Sequence, residues 1–213
     1  RGLVFRRGDR VIFDGIDTKR VKPDPNATVH LKRDNVTLSP GDEVITFVNR
    51  NLEPYRGFHI FMRALPQILR DRPSARCLIV GGDDVSYGSP PRSGKKWREV
   101  MLAEVGNQLP MDRVHFLGNL AYKDYLRVLQ ISRCHVYLTY PFVLSWSCLE
   151  AMSAGCTVVA SSTDPVQEII KHGENGLLFD FFDVSALATR VVDVLTHPET
   201  YSTIGTKARQ SVI

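Results

Sequence analysis

Residues 135–160 read HVYLTYPFVLSWSCLEAMSAGCTVVA, and this stretch decides the fold. His135-Val136-Tyr137-Leu138 is a short apolar run of strand type, and Thr157-Val158-Val159-Ala160 is a second. Between them a loop turns through serines able to cap a helix, and Ser147 to Ala154 is helical in pattern up to Gly155. A strand, a helix and a second strand that starts almost at once form a crossover between parallel neighbours.

The same rhythm extends in both directions. Upstream, Val44 to Val48 is a β-rich run followed by a turn at Gly57. Phe58, Phe61, Met62, Leu65 and Leu69 then recur at helical spacing, and Pro66 is expected to kink that helix. His59, beside this stripe, reads as a surface or capping histidine. Cys77 to Val80 and Val114 to Leu117 are further strands, with helices over Lys96 to Asn107 and Tyr122 to Ile131. Downstream come a helix over Pro165 to His172, a strand at Leu177 to Phe179, and a helix marked by Val184, Leu187, Val191 and Leu195. Each strand is a nearly continuous apolar run, as expected where helices cover both faces of a parallel sheet. The reading is an α/β fold, a Rossmann-like doubly wound parallel sheet over residues 43–197, with a helical tail over 198–213. Residues 1–42, rich in Arg, Lys, Asp and Pro, read as an interdomain linker and lead-in without a core of its own. Val11-Ile12-Phe13 is its one strand candidate.

Ligands of such folds sit beyond the carboxyl ends of the strands, near the switch in strand order. That directs attention to the loops 49–57, 81–93, 118–121, 139–147 and 161–165. Two familiar phosphate motifs fail there. Gly81-Gly82-Asp83-Asp84 lacks the dinucleotide fingerprint, and residues 88–96 have the wrong glycine spacing, two prolines and no Ser or Thr after the lysine of a P-loop. The latter stretch reads as a flexible basic insertion. The helix start after Val143-Leu144-Ser145-Trp146-Ser147 is more telling. It offers unpaired N–H groups and the positive end of a dipole, a seat for a diphosphate. Glu150, one turn in, can accept hydrogen bonds from vicinal ribose hydroxyls; taken alone it is equally a solvated helix carboxylate.

Bulk composition bounds the rest. The 213 residues carry a net charge of +4, with 43% apolar and 23% charged residues, ordinary for a soluble globular domain. The charge suits a phosphorylated ligand and is too weak and scattered for nucleic acid. Cys77, Cys134, Cys148 and Cys156 show no CxxC pair and read as buried thiols of a reducing compartment, hence a cytoplasmic assignment. No apolar run is long enough to span a membrane. Asp83-Asp84 reads as a polar loop rather than a metal site.

Leu149-Glu150-Ala151-Met152-Ser153-Ala154-Gly155-Cys156-Thr157-Val158-Val159-Ala160 closely resembles the L-E-A-M-A-x-G-x-P-V-V-A signature of glycosyltransferase family 4. Other landmarks occur in order. Val11 to Pro25 resembles the interdomain segment of that family, Phe47-Val48-Asn49-Arg50 with Arg56-Gly57 its first phosphate loop, and Leu78 to Gly82 its following strand. Val114 to Gly118, Glu168-Ile169-Ile170 and Asn175 to Leu178 complete the series. The resemblance covers almost the whole chain. It implies a GT-B architecture of two Rossmann-like domains, this chain being the C-terminal, donor-binding half and the N-terminal acceptor domain lying outside the sequence.

The resemblance also implies roles. Arg50 and Arg56 are expected to act catalytically by clamping the diphosphate. Gly118 and Asn119 are expected beside the base, the Val143, Leu144, Ser145 and Ser147 segment at the phosphates, and Glu150 on the ribose. It further implies retaining transfer from an NDP-sugar to an acceptor glycan, lipid or small molecule, with no cofactor or metal, and leaves peripheral membrane contact through the other domain open. One departure stands out: the family's glutamate eight positions before Glu150 is here Phe142. That keeps open a non-catalytic nucleotide-binding module or, further off, an NDP-sugar epimerase of the same shape.

Overall fold

The computed structural model describes residues 15–213, so Val11-Ile12-Phe13 lies outside the described residues. Eight strands are β1 Val29–Leu31, β2 Val36–Leu38, β3 Val44–Asn51, β4 Arg76–Gly82, β5 Val114–Gly118, β6 Cys134–Tyr137, β7 Thr157–Ser161 and β8 Leu177–Phe179. The α-helices among the described residues are α1 Phe58–Asp71, α2 Trp97–Val105, α3 Tyr122–Gln130, α4 Trp146–Ser153, α5 Asp164–Gln167, α6 Val184–Thr196 and α7 Pro198–Gln210.

Six strands form one sheet in the order β5-β4-β3-β6-β7-β8, and every pairing in it is parallel. The chain moves outward from β3 to β5, then returns to the centre and moves the other way from β6 to β8. The switch in direction therefore falls between β3 and β6, the doubly wound arrangement expected from the sequence.

Successive residues of a strand point to opposite faces, and here both faces are covered. Ile45, Phe47, Ile79 and Val136 face α1 and α6 on one side, where Phe47 stacks on Phe61 with ring centroids 4.5 Å apart. Val44, Val48, Leu78 and Val158 join the second core with residues of α3 and α4. That double burial is why the strands read as unbroken apolar runs. On the second face Thr46 Oγ1 lies 2.8 Å from His135 Nδ1, a buried polar pair inside the sheet. Burial pushes the His135 imidazole down to about 3, so it is neutral.

Residues 21–38 and α7 both pack onto the domain. β1 and β2 form an antiparallel hairpin within the segment read as a lead-in. Val21, Ala27, Leu31 and Leu38 are buried in the second core, so residues 21–38, without a core of their own, share that of the sheet. At the other end α7 packs on β7 and α4, burying Ile204 and Ala208. The Arg209 guanidinium donates to the carbonyl of Val21 at 3.0 Å and so joins the two ends.

Three local features have physical causes. α1 runs through Pro66 as one helix, its buried stripe against α6 and the sheet holding it together despite the missing donor. α5 stops at Gln167 instead of reaching His172. The buried Asn175 side chain accepts from the Lys171 amide at 2.7 Å and donates to the Ile169 carbonyl at 3.0 Å, so it captures groups a helix would have used. His59 is half-buried beside Phe181, and burial pushes its imidazole down to about 4. All four cysteines are free and buried.

Gly57 links the first loop to α1 at φ 70°, where a Cβ would collide with the Leu138 side chain. Gly118 has a similar φ of 64° but open space around it. Gly118→Ala should cost only the left-handed backbone term, about 1–2 kcal/mol. Gly57→Ala should add an overpacking cost of about 1–3 kcal/mol. Urea unfolding midpoints at constant slope measure the difference.

Candidate functional site

A cleft of about 600 Å3 opens at the carboxyl end of the sheet beside the β3/β6 switch. Val48, Asn49, Arg50 and Asn51 from the end of β3 line it, with Val80 near the end of β4, Asp84 after β4, and Asn119 and Leu120 after β5. Tyr125 of α3 and Ser145, Ser147 and Glu150 at the start of α4 complete the wall. Five of the expected site residues thus meet in one hollow: Arg50, Asn119, Ser145, Ser147 and Glu150.

The start of α4 is shaped by its own sequence. Ser145 Oγ caps the helix by accepting from the Ser147 amide at 3.3 Å. The far end closes with Gly155 at φ 82°, the Gly155 amide on the Met152 carbonyl and the Cys156 amide on the Ala151 carbonyl. This double bond pattern is the usual left-handed helix stop, and it confirms the role of Gly155. The Ser145 amide is itself taken by the Tyr137 hydroxyl at 2.8 Å and is not available to a ligand. The amides of Val143 and Leu144 have no backbone partner among the described residues.

Arg50 is exposed, forms no ion pair among the described residues and stands at the cleft wall. Its position follows from an irregularity in β3, whose register with β4 shifts between Val48 and Asn51. Arg56 is placed differently from expectation. It is buried, is not on the wall of this cleft, and its Nη1 donates to Thr139 Oγ1 at 2.9 Å and to the Val143 carbonyl at 3.1 Å. Its guanidinium lies over the rings of Tyr87 and Phe142, at 5.2 and 5.4 Å from their centroids. The pair of arginines expected in one hollow is therefore one arginine in the cleft and one behind its wall. The three-residue 3-10 helix Pro54–Arg56 turns the Arg56 side chain away from the cleft and toward the loop after β6. Gly118, Val143 and Leu144 also stand off the wall, Leu144 because it packs on the second core.

Glu150 is held by two phenols that the sequence reading did not single out. Tyr122 donates to Oε1 and Tyr125 to Oε2, both at 2.7 Å. Burial, then the Glu150 carboxylate, pushes the Tyr122 phenol up to about 12, and the more deeply buried Tyr125 rises further for the same reasons. A carboxylate oxygen has room for a second donor beyond each phenol, so both oxygens can still accept from a ligand. The signal for these tyrosines was their three-residue spacing on a helix, which puts them on one face.

Asp83 and Asp84, read as a polar loop, pair with Arg98 at 2.5 Å and Lys96 at 3.2 Å. The insertion after them is not free at its start. The fully buried Glu53 carboxylate accepts from the amides of Ser86, Tyr87 and Gly88, the last at 2.9 Å. No described helix is long and apolar enough to cross a membrane.

The doubly wound parallel sheet defines a Rossmann-like α/β domain, as found in the C-terminal domains of GT-B glycosyltransferases. Residues 30–211 match the family glycosyl transferases group 1, and the chain belongs to it. It is 26% identical over 201 residues to the D-inositol 3-phosphate glycosyltransferase of Rhodococcus jostii, covering 93% of this chain and 42% of that protein. The chain thus spans less than half the length of that relative. The solved C-terminal domain of a glycosyl transferase group 1 family protein from Francisella tularensis superposes with a TM-score of 0.75 at 19% identity, covering 93% of this chain and 96% of that one. Anabaena HepE, solved in complex with UDP and glucose, superposes with a TM-score of 0.73 at 23% identity, covering 94% of this chain and 51% of that one.

The Tyr122–Glu150 pair gives a direct check on the geometry. Glu150→Gln removes the negative charge that opposes phenolate, so Tyr122 should titrate below its wild-type position of about 12, towards the ordinary 10. Absorbance titration of the phenols in both proteins, with Tyr122→Phe to assign the step, measures it.

Proposed function

We propose that this chain is the donor-binding half of a retaining glycosyltransferase that takes its sugar from a nucleoside diphosphate sugar. The observation that carries the reading is the shared cleft: Arg50, the Ser145-capped start of α4 and the Glu150 carboxylate on one wall beside the β3/β6 switch. The family supplies the class of reaction, and the neighbour solved with UDP and glucose supports a nucleotide-sugar ligand.

The chemistry follows from the charges. As the bond from the sugar carbon to the β-phosphate oxygen breaks, negative charge collects on the departing diphosphate. The acceptor oxygen bonds to that carbon and gives up its proton to the departing β-phosphate oxygen. Arg50, with the helix-start dipole and the free amides before α4, stabilises the departing charge. Arg56 acts from behind, holding the Val143 carbonyl so that this loop presents its amides. Glu150, kept in place by two phenols, receives the ribose hydroxyls. Asn119 and the backbone after β5 flank the base. No metal or organic cofactor is needed for this scheme, and the acceptor is held chiefly by the partner domain.

Calorimetry with UDP, GDP and dTDP and their common sugar conjugates tests the reading. At least one pair should bind. Arg50→Ala should weaken the diphosphate far more than the nucleoside. Loss of a hydrogen bond to a charged group costs about 1.5–3 kcal/mol, so Glu150→Gln should weaken the nucleotide by roughly ten- to a hundredfold. If no nucleotide binds, or if Arg50→Ala weakens nucleoside and diphosphate equally, the reading fails.

A further inference from the structure

A hollow of about 550 Å3 runs between the β1–β2 hairpin and β5, the edge strand of the sheet, with α3 as its floor. Small-molecule sites commonly measure ~300–1,000 Å3. Among the described residues it shares only Leu120 with the donor-binding cleft. Val29, Leu31, Leu117, Leu120 and Val128 give it apolar walls. Lys32 and Arg127 stand at its rim, both exposed and neither in an ion pair among the described residues. They outnumber Asp124, the one acid of the described lining, so the rim attracts an anion.

The hairpin is tied to β5, so the hollow is formed in advance. Arg33 donates to the Met111 carbonyl at 2.7 Å, to the Val114 carbonyl at 3.4 Å and to the Asp34 carboxylate at 2.9 Å. Only β4 pairs with β5, and Cys77 of β4 donates to the Arg113 carbonyl. Alternate residues of a parallel strand face opposite neighbours, so Val114 and Phe116 turn their backbone groups outward. Arg33 takes the Val114 carbonyl, and the Phe116 amide is left open. The Phe116 side chain packs on the first core with Arg98 over its ring, so its backbone is what it offers to the hollow.

His115 supplies the decisive group. It lines the hollow and is only 4% exposed. Its Nδ1 lies 3.3 Å from both the Arg33 guanidinium and the Asp34 carboxylate. Its Nε2 is buried without a hydrogen-bond partner among the described residues. Such a group costs stability unless something binds it. Burial, then the Arg33 charge, pushes the imidazole down, so it is neutral and Nε2 either donates or accepts according to the tautomer.

We propose that this hollow is a binding site for a phosphate monoester carried on an apolar body, separate from the donor-binding cleft. The phosphate oxygens accept from the Phe116 amide, Lys32 and Arg127. A phosphate monoester loses its second proton near a pKa of about 6, so its monoanion keeps a hydroxyl beside its acceptor oxygens. It therefore satisfies Nε2 in either tautomer, whereas a carboxylate can only accept. The apolar walls take the body of the ligand.

Amide chemical shifts of the chain, titrated with octyl phosphate, inorganic phosphate, octanoate and octanol, test the site. Octyl phosphate should move His115 to Leu117 and Arg127, and bind roughly tenfold or more tighter than each of the other three. Lys32→Ala combined with Arg127→Ala should weaken it about three- to tenfold at low salt. His115→Phe should weaken it too, with nucleoside diphosphate affinity unchanged; the surface double variant carries the test if that protein does not fold. Co-sedimentation with phosphatidic acid vesicles, set against phosphatidylcholine vesicles, separates two sources of the ester. Capture by the first alone, reversed by octyl phosphate, places the ligand in a bilayer, and no capture makes it a free molecule. Octyl phosphate shifts confined to Asn49 to Asn51 and the α4 start, octanoate or octanol binding as tightly, or an unchanged affinity in the double variant would overturn the proposal.

Discussion

A parallel sheet that reverses its direction of winding must leave a gap between the two loops at the reversal. One loop follows β3 and runs to one side, and the other follows β6 and runs to the opposite side. Nothing in the sheet can fill the space between them. Everything that carries chemistry here is arranged around that gap: the irregular end of β3 that turns Arg50 outward, and the capped start of α4 that faces it. The double core beneath fixes both loops, because each strand is packed on two faces and cannot tilt independently.

Around the gap the side chains divide between contact and support. Glu150 stands on the wall with each oxygen already bound to a phenol, which fixes its rotamer before any ligand arrives. Arg56 supports rather than faces the cleft, its guanidinium committed to Thr139 and the Val143 carbonyl and covered by two rings. Glu53 is the acidic counterpart, buried and spent on backbone amides of the following loop. Pre-formed sites lose less entropy on binding, and each of these three contributes in that sense.

The layout of the sheet was legible because local pattern and burial agree. Apolar runs at 44–48, 77–80, 114–117, 135–138, 157–160 and 177–179 all became strands of one sheet. Gly155 and the Ser145 to Ser147 turn announced both ends of α4. What was not legible depended on contacts distant in sequence. The hairpin of β1 and β2 has three-residue strands too short to show a period, and its place in the core is set by its neighbours in space. Asn175 shortens α5 from eight residues away, through side-chain bonds no periodicity records. Arg56 was readable as a basic residue of the right loop. Its direction was not, since it depends on a carbonyl 87 positions later. Tyr122 and Tyr125 carried the faint signal of one helix face, without any hint that Glu150 lay opposite.

The most direct measurement is an amide chemical-shift titration of the 24.0 kDa chain with the nucleoside diphosphate it prefers. The largest shifts should cluster at Asn49 to Asn51, Asn119 and Val143 to Ser147. A second groove, between the β1 hairpin and β5, is lined by Lys32, Arg33, His115 and Arg127. Shifts concentrated there, with the α4 start silent, would contradict the donor-binding cleft.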